Sequence, residues 1–173
     1  MSLPFSLWYI PDENQAGALE QLIARLAQRF DAIPFYPHVT GFSGVCDTRD
    51  QARRAVDLAL EHFGPFEMTV SGVGHSANFF RTLFLELEQH SIPKQVAARM
   101  AQHCPRPDGY VLEPHLSLIY RDMDQETRQA LCQEIDLGYA DLRFARAWLV
   151  HPRNPELGWR DIGDLDVFYE VDF

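Results

Sequence analysis

The tightest constraint on this chain is a short block that occurs twice. Pro37-His38-Val39-Thr40 returns as Pro114-His115-Leu116-Ser117, each time inside an apolar run that reads as a β-strand. In a strand, residues i and i+2 share a face while the residue between them points the other way. The block therefore predicts His38 and Thr40 on one face with Val39 packed behind them, and His115 and Ser117 on one face with Leu116 behind. With seven His and twelve Ser or Thr in 173 residues, chance supplies roughly half of one His-x-Ser/Thr match. A single copy would read equally well as a half-buried histidine bonded to its neighbours. Two copies, both led by proline, point to two motif strands facing one cleft.

Two imidazoles and two hydroxyls are the groups a metal-free phosphodiester hydrolase needs. Histidine titrates near neutrality, so one ring takes a proton from water while the other gives one to the leaving oxygen. Hydroxyls hold the phosphoryl oxygens and stabilise charge that builds in the transition state. The two motifs are chemically near-equivalent, so spacing alone leaves open which histidine is acid and which is base. No carboxylate cluster of metal-binding spacing accompanies them, and neither metal nor cofactor is expected.

Around the motifs, strands are expected over 5–10, 35–42, 66–73, 78–87, 111–120, 141–150 and 165–172. Helices are expected over 14–30, 49–63, 91–104 and 124–135, with loops over 105–110 and 151–163. The first helix carries Ala18, Leu19, Leu22, Ile23, Leu26 and Phe30 at three-to-four spacing. Strands and helices mix without regular βαβ alternation, which argues for an α+β fold. Its two antiparallel sheets, with helices outside, would face a central cleft. Residues 1–173 read as one bilobal domain, since no linker or low-complexity stretch interrupts them.

Composition narrows the partner. The net charge is −10, and Lys94 is the single lysine beside fourteen scattered arginines. Long nucleic acid is disfavoured by that field, whereas a small nucleotide with one phosphate can still be held locally. No apolar run reaches the 18 or so residues of a membrane span, and no secretory leader is expected. Cys46, Cys104 and Cys132 are odd in number and widely spaced, which fits a reducing, cytoplasmic setting. A monomer is plausible on this composition. Phe42 is expected to wall the cleft. His62, His75, His90, His103 and His151 are expected at the solvated surface, and Arg153 in a surface loop.

The paired His-x-Ser/Thr strands resemble the signature of the 2H phosphoesterase superfamily. Within it, Ser6-Leu7-Trp8-Tyr9-Ile10-Pro11, the Pro37 block and the run from Pro114 to Tyr120 look most like the cyclic phosphodiesterases. Those enzymes open nucleoside 2′,3′-cyclic phosphates and ADP-ribose 1″,2″-cyclic phosphate. The resemblance implies a bilobal cleft, His115 as base toward water and His38 as acid toward the leaving ribose oxygen, with Thr40 and Ser117 on the phosphate. It also implies an aromatic hydroxyl near the phosphate at Tyr120, although Tyr120 has the wrong parity for that face unless the strand ends or bulges there. Trp8 is implied as a substrate contact, and only one of Trp8 and Tyr9 can face the cleft. Two other readings stay open: a 2′-5′ RNA ligase-like or oligonucleotide phosphodiesterase of the same superfamily, and a non-catalytic nucleotide- or RNA-binding module.

Overall fold

The computed structural model describes residues 2–106, 111, 113–138, 140–154 and 156–173. Seven strands, β1 (Leu3–Pro11), β2 (Val39–Cys46), β3 (Phe66–His75), β4 (Leu83–Leu87), β5 (His115–Ile119), β6 (Asp141–Pro152) and β7 (Leu165–Asp172), alternate irregularly with four helices. The helices are α1 (Glu13–Phe30), α2 (Arg49–Leu60), α3 (Ser91–His103) and α4 (Gln125–Glu134). All strand pairs are antiparallel, in the order β1-β2-β5-β4-β3-β6-β7, and β6 pairs with β1 as well. The expected two antiparallel halves, β2-β1-β6-β7 and β5-β4-β3, are thus hydrogen-bonded to each other twice. Long β6 spans both, and β2 meets β5 at the pair Val39↔Leu116.

That pair explains where the site lies. Val39 and Leu116 are fully buried in the main core with Leu19, Ile23 and Leu26 of α1, each burial contributing roughly 1.5–3 kcal/mol. Strand alternation then turns His38 and Thr40, and His115 and Ser117, to the opposite side of the sheet. The antiparallel register sets the two motifs against each other around Val39↔Leu116.

Local chemistry sets the boundaries. Thr48, Asp124 and His90 cap α2, α4 and α3 by accepting hydrogen bonds from Gln51 N, Thr127 N and Ile92 N, covering helix donors that would otherwise lack partners. His90 is therefore a capping group rather than a plain surface residue. The strand expected over 35–42 lies later, at Val39–Cys46, because Pro37 has no N–H to enter a ladder. The strand expected from 78 begins at Leu83, since Asn78 accepts from Phe80 N and folds Phe79–Arg81 into a 3₁₀ turn. The second motif strand, expected over 111–120, is confined to His115–Ile119; part of that span and of the 105–110 loop lies outside the described residues. Among the described residues no helix is long and apolar enough to cross a membrane.

Candidate active site

A cavity of about 580 Å³ opens on the motif face, within the range typical of small-ligand sites. His38, Thr40, His115, Tyr120 and Trp8 line it, together with Asn78, Phe80, Arg81, Arg106 and Trp159. The fold thus brings five of the six anticipated site residues to one cavity. Ser117 lies just behind them, 3% exposed.

Both histidines are held in the same way. His38 Nδ1 lies 2.8 Å from the Tyr36 carbonyl and His115 Nδ1 lies 2.8 Å from the Glu113 carbonyl. A carbonyl oxygen only accepts, so each Nδ1 carries its proton and each Nε2 is left to exchange one. Their surroundings differ. His38 is 5% exposed and lies flat against Trp8, with ring centroids 3.5 Å apart and planes 8° apart. Burial drives its pKa down to about 3; the Tyr36 carbonyl works against that shift, and His115 works with it. His115 is half-buried, with Phe84 edge-on at 5.5 Å. Burial lowers its pKa too, opposed by the bond to Glu113 and assisted by the Arg81 cation.

The hydroxyls also differ. Thr40 is half-buried and reaches the cavity. Ser117 Oγ donates to the Phe80 carbonyl at 3.0 Å, which ties the 3₁₀ turn to β5 and fixes Phe80 and Arg81 at the cleft. Ser117 meets phosphate only by giving up that bond. Arg81 pairs with Glu113 and lies 4.5 Å over the Phe84 ring.

Gly41 decides which aromatic of β1 faces the cleft. The β1–β2 register slips between Leu7↔Phe42 and Trp8↔Thr40, and a Cβ at Gly41 would lie 2.4 Å from Tyr9 Cε2. Only glycine admits the Tyr9 ring there, so Tyr9 is fully buried while Trp8 lines the cavity. Tyr120 escapes its parity because β5 ends at Ile119. Its ring stacks on Phe35 at 4.3 Å while bordering the cleft. Phe42 is not a cleft wall: it is fully buried in the core, with the Arg106 guanidinium 4.4 Å over its ring. Asn78, Phe80, Arg81, Arg106 and Trp159 were not legible as site residues, because lone polar and aromatic residues outside a motif carry no positional signal. Arg153, as expected, lies outside the cavity and pairs with Asp164 and Asp166.

The antiparallel α+β scaffold and its paired motif define a phosphodiesterase of the 2H phosphoesterase class. A family model described as "Cyclic phosphodiesterase-like protein" matches residues 1–168, and the chain belongs to that family. A cyclic phosphodiesterase of Arabidopsis thaliana is 28% identical over 127 residues, covering 72% of this chain and 69% of its own. Among solved structures, LigT of E. coli complexed with 3′-AMP shares the fold with a TM-score of 0.64 at 13% identity, covering 100% of this chain and 99% of its own. TT0787 of Thermus thermophilus does so with a TM-score of 0.60 at 15% identity, covering 99% and 97%.

Proposed function

We propose that this protein hydrolyses a five-membered cyclic phosphodiester, either a nucleoside 2′,3′-cyclic phosphate or ADP-ribose 1″,2″-cyclic phosphate, without a metal ion. The observation that carries the reading is the matched pair of Nδ1–H to carbonyl bonds, which leaves Nε2 of both His38 and His115 available for proton transfer. Water oxygen bonds to phosphorus, one bond from phosphorus to a ribose oxygen breaks, and a phosphomonoester with a free hydroxyl results. One imidazole takes the water proton and the other supplies the proton of the new hydroxyl. Thr40 donates to a non-bridging oxygen, and Arg81 adds positive charge beside His115. Ser117 joins them only when its hydrogen leaves the Phe80 carbonyl.

The order of roles follows from burial. The family resemblance implies His115 as base and His38 as acid. His38, however, is the more deeply buried ring; it starts neutral with its one proton on Nδ1, so Nε2 has none to give and can only accept. His115 is the less buried ring, and a bound phosphate raises its lowered pKa back toward the ordinary value. We therefore assign His38 as base and His115 as acid. Among the described residues no group of three or more His, Cys, Asp or Glu side chains is placed to hold a metal ion, and chelation tests the metal-free mechanism directly. A small nucleotide is the expected partner, in keeping with the 3′-AMP bound by LigT of E. coli.

The test is a panel of 2′,3′-cyclic nucleotides, ADP-ribose 1″,2″-cyclic phosphate and 2′-5′ oligonucleotides, assayed with and without EDTA. Turnover of a cyclic phosphate that survives EDTA is expected. Activity abolished by EDTA and restored by Mg²⁺ or Mn²⁺ would overturn the metal-free mechanism. Turnover of the oligonucleotides alone would move the protein to the ligase-like branch.

A further inference from the structure

Glu113 reaches the site by two routes. Its main-chain carbonyl accepts the Nδ1 proton of His115 at 2.8 Å, and its carboxylate pairs with the Arg81 guanidinium. Arg81 lines the cavity and Glu113 does not, so Arg81 joins a carboxylate outside the cavity to the space inside it. The place of Arg81 does not depend on that ion pair. Arg81 N donates to the Asn78 carbonyl at 2.9 Å, and Ser76 Oγ donates to the Arg81 carbonyl at 2.7 Å. Ser117 ties the same turn to β5 through the Phe80 carbonyl. The guanidinium itself lies 4.5 Å over the Phe84 ring.

The pair is uneven in exposure. The Glu113 side chain is 62% exposed and that of Arg81 30%, and an ion pair with so exposed a partner is weak and exchanges readily. At His115 the two charges oppose each other: the Arg81 cation lowers the ring's pKa and the Glu113 carboxylate raises it. The described residues lining the cavity include no aspartate or glutamate. Glu113 therefore tempers the cavity's positive charge from outside, beside the proton donor. Hydrolysis of a cyclic phosphodiester changes the charge of the ligand held there. The substrate is a monoanion, whereas the phosphomonoester, with a second pKa of about 6, is a dianion above neutrality. Coulomb energy scales with ligand charge, so an unmasked guanidinium would hold product more strongly than substrate.

We propose that Glu113 is a specificity-determining residue that masks Arg81, biasing the cleft toward the singly charged phosphodiester and against the doubly charged phosphomonoester formed from it. The inference rests on the proposed function, because it takes the reacting phosphate to lie beside His115. Glu113 acts through Arg81 from outside the cavity. Its carboxylate limits how tightly product is held, while its carbonyl keeps the His115 ring aimed.

The test is calorimetry at about pH 8, above the second phosphate pKa, with 2′-deoxyadenosine 3′-phosphate and its methyl ester. The two ligands differ by one charge and, lacking a 2′-hydroxyl, cannot cyclise. Glu113→Gln keeps the main-chain carbonyl on His115 and removes only the charge. It is expected to tighten the monoester by about tenfold and the methyl ester by about threefold, because a dianion gains twice the free energy of a monoanion. Glu113→Asp, which keeps the charge, should recover most of the wild-type discrimination. In an Arg81→Met background, Glu113→Gln should change neither affinity by more than about twofold, since no guanidinium is left to unmask. During hydrolysis of adenosine 2′,3′-cyclic phosphate, Glu113→Gln should lower the product Ki relative to KM by roughly threefold. Weaker binding of both ligands by Glu113→Gln would mean that the carboxylate props Arg81 in place. Equal tightening of both, or none, would mean that it does not discriminate by charge; each of these results overturns the proposal. If the wild type opens no cyclic phosphate, the proposed reaction fails, and the two-ligand comparison still decides whether Glu113 masks Arg81.

Discussion

The two motif strands are near copies in sequence and opposites in environment. Each aims its imidazole by the same Nδ1–H bond to the carbonyl two residues earlier, and each packs its middle residue, Val39 or Leu116, into one core. The first copy then buries its histidine and opens its hydroxyl: His38 lies under Trp8, while Thr40 reaches the cavity. The second opens its histidine and buries its hydroxyl: His115 lines the cavity, while Ser117 binds the Phe80 carbonyl. One motif thus yields two imidazoles buried to different depths, and under the proposed reaction the deeper one, His38, is the proton acceptor. The backbone is duplicated; the surroundings are not.

The largest expected effect breaks both copies alike. His38→Ala and His115→Ala should each lower kcat on a cyclic phosphate by at least about a hundredfold, the low end for a lost acid or base. The double variant should be little worse than either single one, because both serve one transition state. A single variant with full activity, measured on protein of wild-type circular dichroism, would end the two-histidine reading.

The hydroxyls sharpen the contrast. Thr40→Val keeps shape and strand propensity while removing the donor that faces the cavity. It should cost about tenfold to a thousandfold in kcat with less change in KM. Ser117→Ala should cost less in kcat and should instead lower stability by about 1 kcal/mol, because it removes the donor to the Phe80 carbonyl. Steady-state kinetics and urea denaturation of the two variants side by side separate these roles. Equal kinetic losses would mean that Ser117 gives up its bond to bind phosphate.

A smaller effect appears in stability against pH. The unfolded chain protonates His38 near 6.5, whereas the folded chain resists until about 3. A depressed pKa means that low pH favours unfolding, so the stabilisation tied to neutral His38 is full above pH 6.5 and declines as pH falls from 6.5 toward 3. Urea midpoints of the wild type should fall more steeply across that window than those of His38→Gln. Parallel curves would show that His38 is not buried as described. The smallest change expected is from Trp8→Leu, which removes the ring covering His38. It should raise the His38 pKa toward its ordinary value, read by NMR, while leaving that of His115 nearly unmoved.

Much of this was legible in the sequence for one reason: the period of two along a strand. Val39 and Leu116 behind, with imidazoles and hydroxyls in front, follow from alternation alone, as do most helix faces from their three-to-four spacing. What alternation cannot show is which neighbour covers a side chain. The burial of Ser117 comes from a turn between β3 and β4 that Asn78 creates. Trp8 rather than Tyr9 faces the cleft because of a register slip at Gly41. Tyr120 joins the cavity because β5 stops one residue before it. Phe42 moved from expected cleft wall to core because the strand containing it runs on to Cys46, and Arg106 covers its ring. These outcomes depend on contacts between segments distant in the chain, which local pattern does not encode.

The inequality of the two histidines is tested most directly by following both rings through a pH titration with nitrogen-15 NMR, in the free protein and with 2′-AMP bound. Both rings should be the Nδ1–H tautomer when neutral. His38 should stay neutral through the range in which His115 takes up its proton, and bound nucleotide should raise the His115 pKa. A His38 that titrates at or above His115 would contradict the account and restore the order of roles that the family resemblance implies.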